Sequence, residues 1–577
     1  MLFISFVDQN YVGGQEMVGQ RKKDLIYIIT FLAVIFAVNI LSSHFFTRFD
    51  FTSEKKYTLS PVTRNILNNL DDRVQVTVYL EGDDFPAGFK RLRSSTFDIL
   101  SDFEAYSSNR LDFDFVNPMA GNEQTQQENY QMLMEKGIEP TNLNVTTENG
   151  NSQKIIFPAA LVTYKGIQIP VKLLQTQNGV DPQQVLNNSI QNLEYAFSST
   201  IKRATTGGRQ RIGFTEGHGE LTDLQLNDAM NSLADWSEVG RVDLATITFD
   251  GLDKLKLLVI AKPEKEFSEG EKYKIDYFVM NGGRILWAID QVNAELDSLR
   301  GVVEHLAFPK KLNLDDMLFR YGARVNYDLI ADLNSSRIPL NTGDVAGQPQ
   351  IQLLPWLFYP VFIPVSSHPL VKNLDGIRSE FPSTIDLIKV DGVVGEVILS
   401  SSPYNRKFDV PTMLSLQMVE QEPDRKLFQG TVKAAGVLLE GEFPSVFRNR
   451  PIPSGITAPS VLPEKSKPGK MIVIADGDVF KNQVNVSDGS HYPLGFDRYT
   501  QEQYANKSLL LNAADYLMDD SGIIGLRNKE IKLRLLDKAK IRSEKTLWQA
   551  INLGLPLIML IACGIFQHYF RIGKYAR

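Results

Sequence analysis

A chain of 577 residues exceeds what one hydrophobic core ordinarily spans, so two or three domains are expected. With 43% hydrophobic residues, 22% charged residues and a net charge of -7, it lacks the basic stripe with interleaved aromatics that nucleic acid requires. The single cysteine, Cys563, excludes an intrachain disulfide, a CxxC redox pair, a cysteine zinc cluster and a soluble thiol nucleophile.

In chain order, residues 1–24 read as a cytoplasmic tail ending in Arg21, Lys22 and Lys23. Residues 25–46, LIYIITFLAVIFAVNILSSHFF, are free of charge and long enough to cross a bilayer. A core helix is rarely apolar on every face, and no A-x-A-like cleavage site follows, so this stretch reads as an uncleaved anchor. The residues before Met17 look detached from it, which makes Met17 a candidate translation start.

Residues 47–205 carry the pattern of a first α/β domain. VQVTVYL (74–80) alternates as a strand, and helical spacing follows at Phe89, Leu92, Phe97, Leu100 and Phe103. The strand LDFDFVNP, a helix near 124–136, a strand pair turning at Lys165-Gly166 and a helix from Pro182 to about Arg203 complete the unit. That order resembles the thioredoxin fold, with PAALVTYKG (158–166) as its proline-led strand and hairpin. EGDDFP stands where a redox pair would be, which makes the scaffold redox-inert.

After the turn-forming Thr205, Thr206, Gly207 and Gly208, residues 206–525 alternate strands with helices. The segments are RIGFT, the helical LTDLQLNDAMNSLADW, VDLATITF, KLLVIA, a helix near 268–280, GGRILWAID, VVGEVILSS, TVKAAGVLLEG, MIVIADGD and the helix KSLLLNAADYLM. Such alternation implies a doubly wound parallel sheet. The proline-rich residues 335–370 read as a long insertion or loop within it. Residues 526–546 form a basic juxtamembrane linker, suited to anionic headgroups or to solvent. Residues 547–570 read as a second span, and 571–577 as a second cytoplasmic tail. Basic residues flank both outer ends, which favours cytoplasmic termini, although the basic linker at the inner end weakens that argument.

Two segments invite a chemical reading. FTEGHGE (214–220) ends a strand where doubly wound sheets gather ligands, and Thr222 with Gln225 makes a capping box for a following helix. Gly217 and Gly219 permit positive φ and could expose amides to an anion, with His218 and Glu220 completing a ligand site. The competing and favoured reading is that the glycines shape a turn while His218 and Glu220 cap backbone groups or pair with each other. In IADGDVF (474–480), Asp476 and Asp478 could share a ligand or a cation, but Asp-Gly-Asp is also an ordinary turn. No catalytic residue and no metal site is assigned, because no H-E-x-x-H pattern is present. No cofactor is assigned either. A P-loop is excluded because Gly469-Lys470 precedes Met471 and Gly573-Lys574 precedes Tyr575, so any ATPase must be a separate chain.

Taken in order, FTSEKKYTLSPVTRNILNNL, VQVTVYLEGD, the helix beginning FKRL, the GHGE turn and ADGDVF resemble the gliding-motility ABC-transporter auxiliary family called GldG. The resemblance runs from about residue 20 to the C-terminus. It implies a bacterial inner-membrane protein with two transmembrane helices flanking a thioredoxin-like domain and a doubly wound, amidotransferase-like domain. The bulk of the chain would face the periplasm, and an ABC permease subunit and a separate ATPase subunit would be its partners. The amidotransferase cysteine is missing, so that activity does not carry over. The function expected is a non-catalytic, membrane-anchored auxiliary subunit supporting gliding motility and the associated secretion system. The alternatives are a periplasmic solute receptor with its ligand at the GHGE turn, and, less favoured, a hydrolase using an aspartate or a metal.

Overall fold

The computed structural model describes residues 26, 28–36, 58–82, 85–138, 140–147, 150–175, 181–205, 210–299, 301–345, 348–419, 422–457, 462–485, 487–528 and 538–575. Residues up to 529 form one unit holding two principal sheets, and residues from 530 form a second unit.

The first lobe begins with α1 (Pro61–Asn68), which has Pro61 in its first turn and is capped by the Ser60 hydroxyl accepting from Thr63 N. Its sheet contains β1 (Val74–Val78) and β2 (Leu111–Phe115), joined by α2 (Ala87–Tyr106). After α3 (Glu123–Glu135) comes a hairpin that the sequence pattern did not reveal, β3 (Thr141–Thr147) with β4 (Gly150–Ile156). Strands β5 (Ala159–Tyr164) and β6 (Ile167–Lys172) and helix α4 (Pro182–Thr205) complete the lobe.

The strand order is β2-β1-β5-β6, with β1 and β2 parallel and the other pairs antiparallel. Val74, Val76 and Val78 point to one face, where they pack with Leu92 and Phe103 of α2 and Phe197 and Ile201 of α4. Leu133 of α3 and Leu161 belong to a separate cluster. The β5–β6 turn falls where the sequence placed it, with φ of 47° at Lys165 and 84° at Gly166, the two positive values a tight hairpin requires.

The second lobe is built on a seven-stranded sheet. Its elements are β7 (Arg211–Glu216), α5 (Asn227–Ala234), β8 (Glu238–Asp243), β9 (Leu255–Ala261), α6 (Glu269–Met280) and β10 (Arg284–Ala288). Farther along come β11 (Ser335–Val345), β12 (Gln348–Phe362), β13 (Val393–Ser400), β14 (Ala434–Gly441), β15 (Gly469–Ile474) and α7 (Asn506–Met518). The order across the sheet is β13-β14-β15-β10-β9-β7-β8. From β15 to β8 all pairs are parallel, while β13 and β14 add an antiparallel edge.

Both faces are covered, which is why the central strands read as unbroken apolar runs. Leu257, Val259, Leu286 and Ile472 face Leu509, Ala513 and Leu517 of α7. The intervening Leu258, Ile260, Ile285, Trp287 and Val473 face Ile275, Phe278 and Val279 of α6.

Several expectations are corrected. The helix expected over 221–236 is confined to Asn227–Ala234: Thr222 and Gln225 do exchange capping bonds, but around a turn that precedes the helix. VDLATITF is not one strand, because β8 ends at Asp243 and Thr248 caps a helical turn at Phe249–Leu252. Of the expected insertion or loop at 335–370, residues 335–362 carry β11 and β12, which pair as a long antiparallel hairpin.

Of the expected first span, residues 26 and 28–36 are helical and exposed, and the remainder lies outside the described residues, as do the tail at 1–24 and the junction at 206–209. In the second unit, α8 (Lys538–Tyr575) is a single helix that takes up both the end of the expected linker and the expected second span. Residues Arg542–Phe570 within it include an 18-residue stretch with a mean hydropathy of 1.9 and meet the length and composition needed to cross a membrane.

Candidate functional site at the carboxyl end of the sheet

The GHGE turn leaves β7 with φ of 109° at Gly217 and 78° at Gly219, values that disfavour any residue with a Cβ. At Gly219 a Cβ would also lie 3.1 Å from that of Glu264. The His218 ring stacks on Phe267 with centroids 3.9 Å apart, and it is only 4% exposed. Its Nδ1 lies 3.4 Å from Glu220 Oε1 and its Nε2 lies 3.2 Å from Glu271 Oε2.

The backbone is tied down as firmly. His218 N donates to Glu220 Oε2 at 2.6 Å, and the His218 carbonyl accepts from Glu264 N and Lys265 N, both at 2.8 Å. Burial opposes a charge on His218, but the Glu220 and Glu271 carboxylates outweigh it and hold the imidazole pKa above its ordinary value. Both carboxyl pKa values are lowered: burial opposes their charge too, but it is outweighed by bonds from His218 and neighbouring backbone groups and, at Glu271, from Ser268.

A second cluster sits at the ends of β9, β10 and β15. Asp290, Asp476 and Asp478 are buried and bring carboxylate oxygens within 4.8 Å of one another. Lys262, which directly follows β9 with φ of 55°, reaches into this group, with Nζ 2.7 Å from Asp478, 3.8 Å from Asp290 and 2.9 Å from Glu295. Lys481 lies 2.7 Å from the other oxygen of Asp478, and Lys310 lies 3.7 Å from Asp290. Gly477 is required here because a Cβ would stand 2.7 Å from that of Lys262.

Backbone and hydroxyl groups complete the set. Gly477 N donates to Asp290 at 2.6 Å, Asp478 N to Asp476 at 2.8 Å, and Glu380 N and the Ser379 hydroxyl to Asp476. Burial, reinforced by Asp290 and Asp478, raises the Asp476 carboxyl well above the usual range. Burial acts the same way on Asp478, but Lys481 and Lys262 overcome it and hold that carboxyl low.

The two segments singled out in the sequence therefore lie at the same end of one sheet. Glu264 and Lys310 connect them: Glu264 N binds the His218 carbonyl, its carboxylate is 2.7 Å from Lys310, and Lys310 faces Asp290. Three carboxylates so close could ligate a divalent cation. Here the Lys262 ammonium lies among them and supplies the positive charge. Asp476 is 1% exposed, Lys262 5% and Asp290 6%, so the crevice where doubly wound sheets take ligands is filled by side chains of the chain itself.

Sequence reasoning missed Lys262, Asp290, Lys310, Phe267 and Glu271. Lys262 and Asp290 had a readable signal, since each follows directly on an apolar strand run, LLVIA and ILWAI. The others come from distant segments and carried none.

A family model described as "ABC-type uncharacterized transport system", of the auxiliary type, matches residues 209–513, more than half of the chain. The chain belongs to this family. Membership gives it an accessory role in an ABC transporter, and together with the apolar helix at 542–570 it supports association with a membrane. A second model, a domain of unknown function, matches residues 53–163. A relative from Borreliella burgdorferi, named as an uncharacterized protein, is 21% identical over 524 residues, spanning 89% of this chain and 91% of the relative.

Among solved structures, the mmIFT52 N-terminal domain aligns over 56% of this chain and 100% of its own length, with 14% identity and a TM-score of 0.30. A thua-like protein from Bacteroides uniformis aligns over 53% of this chain and 89% of its own, with 12% identity and a TM-score of 0.25. Scores at this level carry no argument about function.

Proposed function

We propose that this protein is a non-catalytic, membrane-anchored auxiliary subunit that joins an ABC permease subunit and a separate ATPase subunit. The observation that carries the reading is the filled carboxyl end of the large sheet. His218, Glu220, Asp476 and Asp478 are all engaged by partners within the chain, and no nucleophile stands free among them. A family member whose strand ends are closed in this way uses its lobes for contact and not for turnover.

The finer features follow from the resemblance to the GldG family: a thioredoxin-like first lobe, an amidotransferase-like second lobe, a first span at 25–46, a periplasmic location between the spans and a role in gliding motility. The β2-β1-β5-β6 order supports the first of these, and the mainly parallel, doubly covered sheet supports the second. The solute-receptor reading at Gly217, His218, Gly219 and Glu220 draws less support, because both side chains of that turn are buried and paired.

The deciding experiment is purification of the full chain from its native membrane in mild detergent, with mass spectrometry of whatever accompanies it. Recovery of a permease and a P-loop ATPase is expected. Recovery of this chain alone, from detergents that keep other ABC complexes intact, would remove the subunit reading.

A further inference from the structure

We propose that the outer edge of the first lobe's sheet, strand β2, takes up an extended segment of a partner polypeptide in which basic and apolar side chains alternate. In the order β2-β1-β5-β6, strand β6 faces the second lobe, since Ile167 and Ile169 share a cleft with Trp236 and Met518, and β2 lies at the opposite edge. Val74 N donates to the Arg110 carbonyl and Val116 N to the Val78 carbonyl, both at 2.8 Å, so the even-numbered backbone groups of this stretch turn toward β1. Those of Phe113 and Phe115 turn outward, and no hydrogen bond reaches them among the described residues. A strand laid along this edge would complete the ladder, which is how strand addition obtains its affinity.

The side chains of β2 set what such a segment carries. Phe113 and Phe115 point to the face covered by α2, where the Phe97 ring meets theirs with centroids 5.5 and 6.2 Å away and the Arg93 guanidinium lies 5.0 Å from the Phe115 ring. Phe97 is nonetheless 48% exposed, so the three rings form a ledge open to an apolar side chain, and aromatic groups beside arginine are those that dominate binding surfaces. Asp112 and Asp114 point to the other face, and both are exposed. Asp114 has no ion pair among the described residues, and Asp112 has only Arg73 at 3.9 Å, with both side chains more than half exposed. Residues opposite each other in a sheet share a face, so an added strand sets its apolar side chains against the phenylalanines and the intervening ones against the carboxylates, which calls for Lys or Arg. A second copy of this chain does not fit. Antiparallel pairing of Phe113 with Phe113 sets Asp112 opposite Asp114, pairing of Phe113 with Phe115 sets Asp114 opposite Asp114, and like charges directly opposite are destabilising.

The test uses the full chain in nanodiscs of zwitterionic phosphatidylcholine, which do not themselves attract basic peptides, with fluorescein-labelled Lys-Val-Lys-Val-Lys-Val-amide as probe in fluorescence anisotropy. Saturable binding is expected, at least about five-fold tighter than for Lys-Lys-Lys-Val-Val-Val-amide, which has the same charge without the alternation. Amide hydrogen exchange in the segment holding Phe113 and Phe115 is expected to slow when the probe is bound. Asp112→Lys combined with Asp114→Lys, at two exposed positions, is expected to reverse the preference toward Glu-Val-Glu-Val-Glu-Val-amide. Equal affinity for the two lysine peptides, or unchanged exchange at Phe113 and Phe115 with the probe bound, would reduce the edge to a diffuse negative patch and overturn the proposal, as would absence of saturable binding. The exchange measurement is made on the unaltered chain, so it decides even if the double variant melts early.

Discussion

At the scale of single residues, the carboxyl end of the large sheet is held by charges whose strength depends on company. The His218 pKa is raised, so in the folded state its proton is retained to higher pH than in the unfolded chain. Its contribution to stability is therefore complete below about pH 6.5 and disappears as pH rises through the folded value. Glu220 and Glu271 have lowered pKa values, so their contribution is present above about pH 4.3 and is lost as pH falls. The three groups accordingly stabilise the fold most between those limits. His218→Phe, which preserves stacking on Phe267, should cost more stability at pH 5.5 than at pH 8, as read from urea midpoints; an equal loss at both would show that the ring acts by packing alone. Lys262 has a different logic. Lys262→Met leaves Asp290 and Asp478 facing each other without their shared ammonium, and removing one partner of a buried ionic group costs about 3–5 kcal/mol. Gly477→Ala attacks the same cluster sterically, because its Cβ would meet both the side chain and the Cα of Lys262, and a loss of about 1–3 kcal/mol is expected in chemical denaturation.

At the scale of elements, what the sequence reveals depends on whether a side chain answers to its neighbours along the chain or across it. The β1 valines and the unbroken runs of β9 and β10 are local patterns, and they foretold strands with one buried face or two. Lys165-Gly166 foretold a hairpin for the same reason. By contrast, the β11–β12 hairpin was hidden because Pro339, Pro349, Pro355 and Pro360 read locally as breaks, whereas its pairing is set by facing residues such as Ile338 with Leu354. The partners of His218 and Asp478 were hidden likewise, since Glu271, Lys262 and Asp290 come from other strands and helices. The hairpin also divides into a packed base and a free arm. Trp356 is 1% exposed and packs with Phe358 and Phe381, whereas Ile351 is 66% exposed. Trp356→Ala should therefore cost about 3–5 kcal/mol in thermal or urea unfolding, while Ile351→Thr should stay within about 0.5 kcal/mol. Comparable losses at both positions would mean that the arm is packed along its whole length.

At the scale of the whole molecule, the side of the membrane that carries the lobes sets where their partner is found. Charge alone does not decide it: Lys538, Lys540, Arg542 and Lys545 precede the apolar part of α8, and Arg571 and Lys574 follow it, so the positive-inside rule pulls both ways. Length explains how both groups are accommodated. At about 1.5 Å per residue, the 38 residues of α8 extend about 57 Å, well beyond a hydrocarbon core of about 30 Å, so a bilayer crossed by its apolar part would leave both basic ends in the headgroup regions or past them. An auxiliary subunit that serves a transporter from the periplasm needs the lobes outside and the final residues inside. That arrangement can be tested with a membrane-impermeant thiol reagent, because Cys563 is the only native cysteine and Cys563→Ser gives a thiol-free background. Asp181→Cys, at an exposed position before α4, should be labelled once the outer membrane is permeabilised. Lys574→Cys should be labelled only after the inner membrane is broken. The reverse pattern would put the lobes in the cytoplasm, beside the ATPase. The partner for their surfaces would then have to be sought there, even if the same permease co-purified.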